Sequence, residues 1–167
     1  DICPGTNACL DGTTVRQVVE PGVGDLVISE VYSNPHGTDY ESNEWLELYV
    51  NASVAVDLNN LRQEHGTIVK TWNLLSNDCV SVQPGAYVVL AGPDAASYGI
   101  IPTLSVVYTS GNQLMNSAQD MYLKRFSDDL VIDHVVYQST QRASYSLDPD
   151  FLTATANDTE EYWCTAD

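Results

Sequence analysis

Short apolar runs bounded by turn residues constrain the fold of this chain more than any other feature. Residues 26–32, 86–91 and 130–137 are rich in β-branched and aromatic side chains, and Gly, Pro, Asn and Asp lie between the runs. In 44–50 apolar and polar side chains alternate, as in a half-buried strand. No segment sustains the period of a helix. The pattern predicts an all-β fold, a β-sandwich of about eight or nine strands.

The length and charge of the chain limit its organisation and its partners. With 167 residues it is expected to form one domain. The strand pattern assigns residues 24–167 to that domain and leaves residues 1–23 as an N-terminal leader or arm. The formal net charge of −17 repels nucleic acid and anionic membrane surfaces, so neither is expected as a partner. No apolar run approaches the roughly 20 residues of a transmembrane helix.

The four cysteines predict a disulfide-bonded protein. Cys3, Cys9, Cys79 and Cys164 lack the Cys-x-x-Cys spacing of zinc and redox sites. Among the three pairings that four cysteines allow, we expect Cys3–Cys9, which closes a short loop, and Cys79–Cys164. Four free buried thiols are the alternative. Disulfides indicate a secreted or cell-surface protein, and the absence of a leader peptide fits a chain that is mature or cut from a larger one.

Signatures of catalysis are absent from the sequence. It has no Gly-x-Ser-x-Gly elbow, no His-Glu-x-x-His motif and no Gly-rich phosphate loop before a helix. The three histidines are scattered and are expected to lie in turns or at the surface. We therefore expect no enzyme, no catalytic residue and no required cofactor.

One acidic loop is a candidate cation site. Asp39, Glu41 and Glu44 fall within six residues, and calcium takes six to eight oxygen ligands in proteins. The alternative is a turn whose carboxylates face water. Trp45, Trp72 and Trp163 could stack on a glycan, although core packing is the commoner use of tryptophan. We expect Trp163 to pack over a disulfide of Cys164.

Several motifs follow one another in an order that is typical of a known family. Asp-Leu-Val-Ile-Ser-Glu-Val-Tyr-Ser-Asn-Pro at 25–35 precedes Glu-Trp-Leu-Glu-Leu-Tyr-Val-Asn at 44–51, and Gln-Pro-Gly-Ala-Tyr-Val-Val-Leu follows at 83–90. Asn-Ser-Ala-Gln-Asp-Met-Tyr-Leu comes at 116–123. The chain resembles the lamin tail domain family in its prokaryotic secreted form. The resemblance implies an immunoglobulin-like β-sandwich that serves as an accessory or interaction module, and it carries over no catalytic residues.

These observations predict a non-catalytic extracellular structural, adhesive or assembly module, such as a subunit of a surface layer or fibre. Its partners would be other proteins or copies of itself. The arm would add a strand to a neighbour's exposed sheet edge through Val15, Val18 and Val19; a disordered or self-packed leader is the alternative. A calcium- or glycan-binding accessory module of a secreted hydrolase is the second hypothesis, and a hydrolase without a local motif is the third.

Overall fold

The computed structural model describes residues 7–34, 44–65, 68–73, 76–91, 106–107, 114, 117–139 and 141–166. These residues form an all-β structure, as the sequence predicts. They contain fourteen strands rather than eight or nine, because several strands have only two to four residues and leave no periodic pattern in the sequence. The helices in these ranges are Pro149–Phe151 and Glu160–Tyr162, and neither is long enough to span a membrane.

In chain order the strands are β1 (Ala8–Asp11), β2 (Thr14–Gln17), β3 (Leu26–Tyr32), β4 (Trp45–Val50), β5 (Val56–Asp57), β6 (Leu61–His65), β7 (Ile68–Asn73), β8 (Ser81–Val82), β9 (Tyr87–Ala91), β10 (Val106–Val107), β11 (Gln119–Arg125), β12 (Val131–Tyr137), β13 (Ser144–Leu147) and β14 (Trp163–Ala166). A six-stranded sheet has the order β10-β9-β4-β3-β13-β14, and a four-stranded sheet has the order β12-β11-β6-β7. Two small sheets pair β1 with β2 and β5 with β8.

Both larger sheets contribute to one cluster of buried apolar side chains. Leu46 and Leu48 of β4 pack there with Met121 and Leu123 of β11, and each is almost completely buried. The members of each pair are two residues apart, so they leave their strand on the same side. Burying a side chain of this size stabilises the fold by roughly 1.5–3 kcal/mol relative to exposure.

The strands that the sequence pattern misses include β6 and β13. β6 contains Arg62, Gln63 and Glu64, and β13 has the sequence Ser-Tyr-Ser-Leu, so neither strand reads as an apolar run. Conversely, the alternation in 54–61 predicts one strand where the described structure has only the short β5 and the start of β6. These strands depend on pairing with β11 and β3, which the local pattern does not report.

The disulfide of the structure differs from the expected pairing. Cys9 is bonded to Cys79, with their Cα atoms 5.0 Å apart, and Cys164 is an exposed free thiol. The expected Cys3–Cys9 and Cys79–Cys164 bonds are therefore wrong; Cys3 itself lies outside the described residues. The physical reason is tertiary. The backbone of Leu10 exchanges hydrogen bonds of 2.8 Å with 77–79, which brings β1 alongside Cys79.

The described part of the leader packs against its own chain. Arg16 of β2 donates to both carboxylate oxygens of Asp57, at 2.6 and 2.9 Å. The N–H of Val19 donates to the same carboxylate at 2.7 Å. Val18 is buried, whereas Val15 is 59% exposed and Val19 is 44% exposed. The predicted arm is thus joined to the domain by a disulfide and an ion pair, and two of its three valines keep apolar surface in solvent.

The disulfide predicts a large stability difference between two cysteine variants. Cys9 and Cys79 are 70 residues apart, and the chain-entropy model gives a loop of that size about 4 kcal/mol. We expect Cys79→Ser to lower the free energy of unfolding by about this amount in urea denaturation. Cys164→Ser should leave it unchanged, because that thiol is free and exposed. A disulfide map that joins Cys3 to Cys9 would contradict the pairing.

Candidate functional site

Three buried carboxylates bind backbone N–H groups. Glu44 accepts from the N–H of Leu114 at 2.6 Å, and Asp133 accepts from the N–H of Ile28 at 2.6 Å. The third is Asp57, which holds the Val19 N–H. Each carboxylate occupies a place where the chain has a donor and no strand partner. These acids support the fold.

The candidate cation loop is described only at its last residue. Asp39 and Glu41 lie outside the described residues, and Glu44 is buried on the N–H of Leu114. Within the described ranges, no group of three His, Cys, Asp or Glu side chains is arranged to hold a metal ion.

Asp133 is a strongly perturbed acid of the interior. Burial raises its pKa to about 7, although hydrogen bonds from the Ile28 N–H and the Asn157 side chain act in the opposite direction. The amide Nδ2 of Asn157 donates to Asp133 Oδ2 at 2.7 Å. Asp133 Oδ1 and Asn157 Oδ1 are buried without a hydrogen-bond partner. The group lies inside the protein at the junction of β3, β12 and the 153–158 loop, where it links three segments.

The pKa of Asp57 is shifted in the opposite direction to that of Asp133. Burial raises its pKa, but hydrogen bonds from Arg16, Ser81 and the Val19 N–H outweigh burial and lower the pKa overall. The carboxylate is therefore held as an anion by a guanidinium, a hydroxyl and a backbone amide. All of these partners belong to the chain itself, so Asp57 anchors the N-terminal hairpin.

A histidine on the outer side of the four-stranded sheet lies between two carboxylates. His134 Nε2 is 3.0 Å from Asp120 Oδ1, and His134 Nδ1 is 3.4 Å from Asp158 Oδ1. The ring of Tyr122 lies 4.4 Å from the imidazole, centroid to centroid. Both ring nitrogens of His134 therefore face carboxylates of the same chain.

The outer face of the six-stranded sheet carries a different set of side chains. On β4, Leu46 and Leu48 enter the main core, so Trp45, Glu47 and Tyr49 leave the strand on the opposite side. On that side Trp45 is buried in a second, smaller apolar cluster with Tyr32 and Ala91. The register places five side chains in one row across neighbouring strands of that face: Cys164, Ser146, Glu30, Glu47 and Val89. We call this surface, together with Trp45, Tyr49 and Tyr87, the outer face.

A β-bulge brings two glutamates together in this row. β3 has one extra residue between Ile28 and Glu30 relative to β4, and Ser29 occupies the bulge. As a result Glu30 is the direct partner of Glu47. Ser29 Oγ donates to Glu47 Oε1 at 2.9 Å, and Ser144 Oγ donates to Glu30 Oε1. Burial, followed by the neighbouring charge of Glu30, raises the pKa of Glu47.

Aromatic rings flank the glutamate pair. Tyr49 and Tyr87 are direct partners on β4 and β9, with ring centroids 5.2 Å apart. Tyr87 is 49% exposed. On the other side of Glu47, Tyr32 and Trp45 have ring centroids 5.5 Å apart, and the indole N–H of Trp45 is buried without an acceptor.

Four of the described cations form ion pairs elsewhere, and a fifth, Arg142, acts electrostatically on Tyr32. Arg16 binds Asp57, Arg62 and Lys124 both bind Glu64, and Arg125 binds Asp128. Within the described ranges, no Lys, Arg or His forms an ion pair with Glu30 or Glu47. The half-buried glutamate pair therefore has hydroxyl donors and no ion-pair partner among the described residues.

The sequence predicts a functional role for few of these residues. Of the tryptophans, Trp163 is a core residue: it stacks on Tyr145 with centroids 4.9 Å apart, and its indole donates to the carbonyl of Asn157. The expectation that it covers a disulfide is wrong, because Cys164 is free. The side chain of Trp72 lies outside the described residues. Glu30 and Glu47 escape notice because only the bulge sets them opposite each other.

No family model matches the chain, and no curated protein matches it. The resemblance to the lamin tail domain family stays a prediction that rests on the sequence motifs.

Asp133 predicts a pH-dependent stability. Its folded pKa of about 7 lies above the unfolded value, so the folded protein keeps a proton that the unfolded chain loses. The corresponding stability is present below about pH 4 and is lost as the pH rises to 7, by up to about 4 kcal/mol. In Asp133→Asn the side chain is neutral throughout, and we expect the unfolding free energy to fall less over this range.

Urea denaturation at several pH values measures this difference. The exposed Glu161→Gln is the control, because it removes one negative charge without changing a buried group. Equal pH slopes for wild type and Asp133→Asn would contradict the prediction.

Proposed function

We propose that this chain is a non-catalytic extracellular interaction module with an immunoglobulin-like β-sandwich of the lamin tail type. One observation carries the proposal: the buried carboxylates and the outer-face carboxylates have different partners. The buried acids are committed to backbone donors and to Arg16, whereas Glu30 and Glu47 stand on the outer face without a cation. The first set maintains the fold, and the second set remains available for a partner.

The disulfide and the motif order support the extracellular part of this proposal. Disulfides persist in oxidising compartments, and Cys9–Cys79 is one. The described residues include a core to which both larger sheets contribute, as a sandwich requires.

In this proposal the N-terminal segment contacts a neighbour as a docked hairpin rather than as a free arm. A free arm cannot donate β2 to a neighbour, because Cys9 and Arg16 hold the hairpin to the domain. Val15 and Val19 remain exposed on the docked hairpin, so a contact there would be side-chain packing rather than strand addition.

A glycan is the second candidate ligand. The half-exposed ring of Tyr87 beside Tyr49 offers a stacking surface, and Glu47 on the same face offers hydrogen-bond acceptors. Calcium at Asp39, Glu41 and Glu44 has no such observation in its favour, because the Glu44 carboxylate already holds a backbone N–H.

A hydrolase screen tests the non-catalytic part of the proposal. Glu30 and Glu47 are direct partners on adjacent strands, so they are the acid pair to test for a glycosidase role. We expect no turnover of esters, phosphate esters or glycosides above the buffer rate. Turnover that disappears in Glu47→Gln and persists in Glu161→Gln would overturn the proposal and would make the outer face an active site.

A further inference from the structure

We propose that the outer face binds a basic peptide segment of a partner protein, with an Arg or Lys side chain seated between Glu30, Glu47 and the Tyr49–Tyr87 pair. This inference rests on the proposed function and names the chemistry of the partner. The charges of the two glutamates, the rings of the two tyrosines and the indole N–H of Trp45 support it.

The glutamate pair has no ion-pair partner among the described residues and would accept a positive charge. Glu30 and Glu47 are direct partners on adjacent antiparallel strands, a position in which like charges destabilise a sheet. Their internal partners are the hydroxyls of Ser29 and Ser144. A hydroxyl satisfies one oxygen and leaves the charge uncompensated. A guanidinium or an ammonium between the two carboxylates would remove the repulsion.

The tyrosines suit an organic cation better than a metal ion. Tyr49 follows Glu47 by two residues on the same face, and Tyr87 lies beside Tyr49. Burial, followed by the charges of Glu47 and Tyr49, raises the pKa of Tyr87. Ring faces attract guanidinium and ammonium groups, and a guanidinium also matches a carboxylate in two parallel hydrogen bonds.

The indole of Trp45 favours a peptide over calcium or a simple amine. Trp45 precedes Glu47 by two residues and lies on the same face, and its buried N–H has no acceptor within the described residues. A peptide brings carbonyl acceptors together with its basic side chains, whereas calcium and simple amines bring none. A glycan brings acceptors and no positive charge, and would leave both glutamates uncompensated.

Long-range electrostatics favours the same partner. The chain carries 23 acidic and 6 basic residues, so its field attracts a positively charged segment and accelerates encounter at low salt. The field alone would hold such a segment anywhere on the surface. The geometry of the outer face supplies the specificity, and the test must separate these two effects.

Calorimetric titration separates attraction by the net charge from specific binding at the outer face. The probes are hexa-arginine, its neutral analogue hexa-citrulline, calcium chloride and cello- and chito-oligosaccharides. We expect hexa-arginine to bind, hexa-citrulline not to bind, and Glu47→Gln and Glu30→Gln each to weaken hexa-arginine by about tenfold. Glu161→Gln removes the same charge outside the outer face and should weaken it by no more than about twofold. Thermal melts confirm that each variant is folded.

Each outcome decides the inference. Equal weakening by Glu47→Gln and Glu161→Gln would show binding by net charge alone and would overturn it. In a second outcome, hexa-arginine does not bind, whereas calcium or an oligosaccharide binds and loses that binding in Glu47→Gln. That result would overturn the basic peptide as the ligand, and the proposed function as an interaction module would stand. Hydrolysis that depends on Glu47 would overturn the proposed function instead. A Tyr87→Ala variant that loses hexa-arginine affinity while Tyr122→Ala keeps it would support the role of the aromatic pair.

Discussion

The fold depends on side-chain acceptors that hold backbone N–H groups beyond the reach of the strand ladder. β13 pairs with β3 only at Glu30 and Val31, so the N–H of Ile28 lies beyond this pairing and Asp133 receives it. Asp57 does the same for Val19 at the entry from the leader. A buried N–H without an acceptor costs about 1–3 kcal/mol. These contacts therefore fix where β3, β12 and the N-terminal hairpin lie.

This use of carboxylates gives a physical meaning to the net charge. An acid that accepts backbone N–H groups inside the protein is a structural group. Asp57 and Asp133 are two such acids, and their pKa values are shifted in opposite directions. Asp57 remains an anion because Arg16 is beside it, whereas the burial of Asp133 favours its protonated form. Glu47 belongs to neither case, because it lies on the outer face opposite a second glutamate. Part of the negative charge of the chain is thus structural, and part lies on the outer face as two glutamates without an ion-pair partner among the described residues.

The sequence predicts those features that leave a local trace. β3 and β9 are apolar and β-branched, and the pattern places them within about a residue of their observed bounds. β13 is missed because its Ser-Tyr-Ser-Leu sequence becomes a strand only beside β3. The Cys9–Cys79 bond and the glutamate pair are missed for the same reason. A parallel contact of Leu10 with Asp78 sets the first, and the bulge at Ser29 sets the second.

The central claim is that the carboxylates divide by environment, and an NMR titration of the side-chain carboxyl carbons tests it directly. We expect Asp133 to titrate near its folded pKa of about 7 and Asp57 to titrate below its ordinary range. Glu47 should titrate above its ordinary range because of burial and the charge of Glu30. Ordinary pKa values for all three would contradict the account, because they would place these acids in water rather than in the structural and outer-face roles assigned to them.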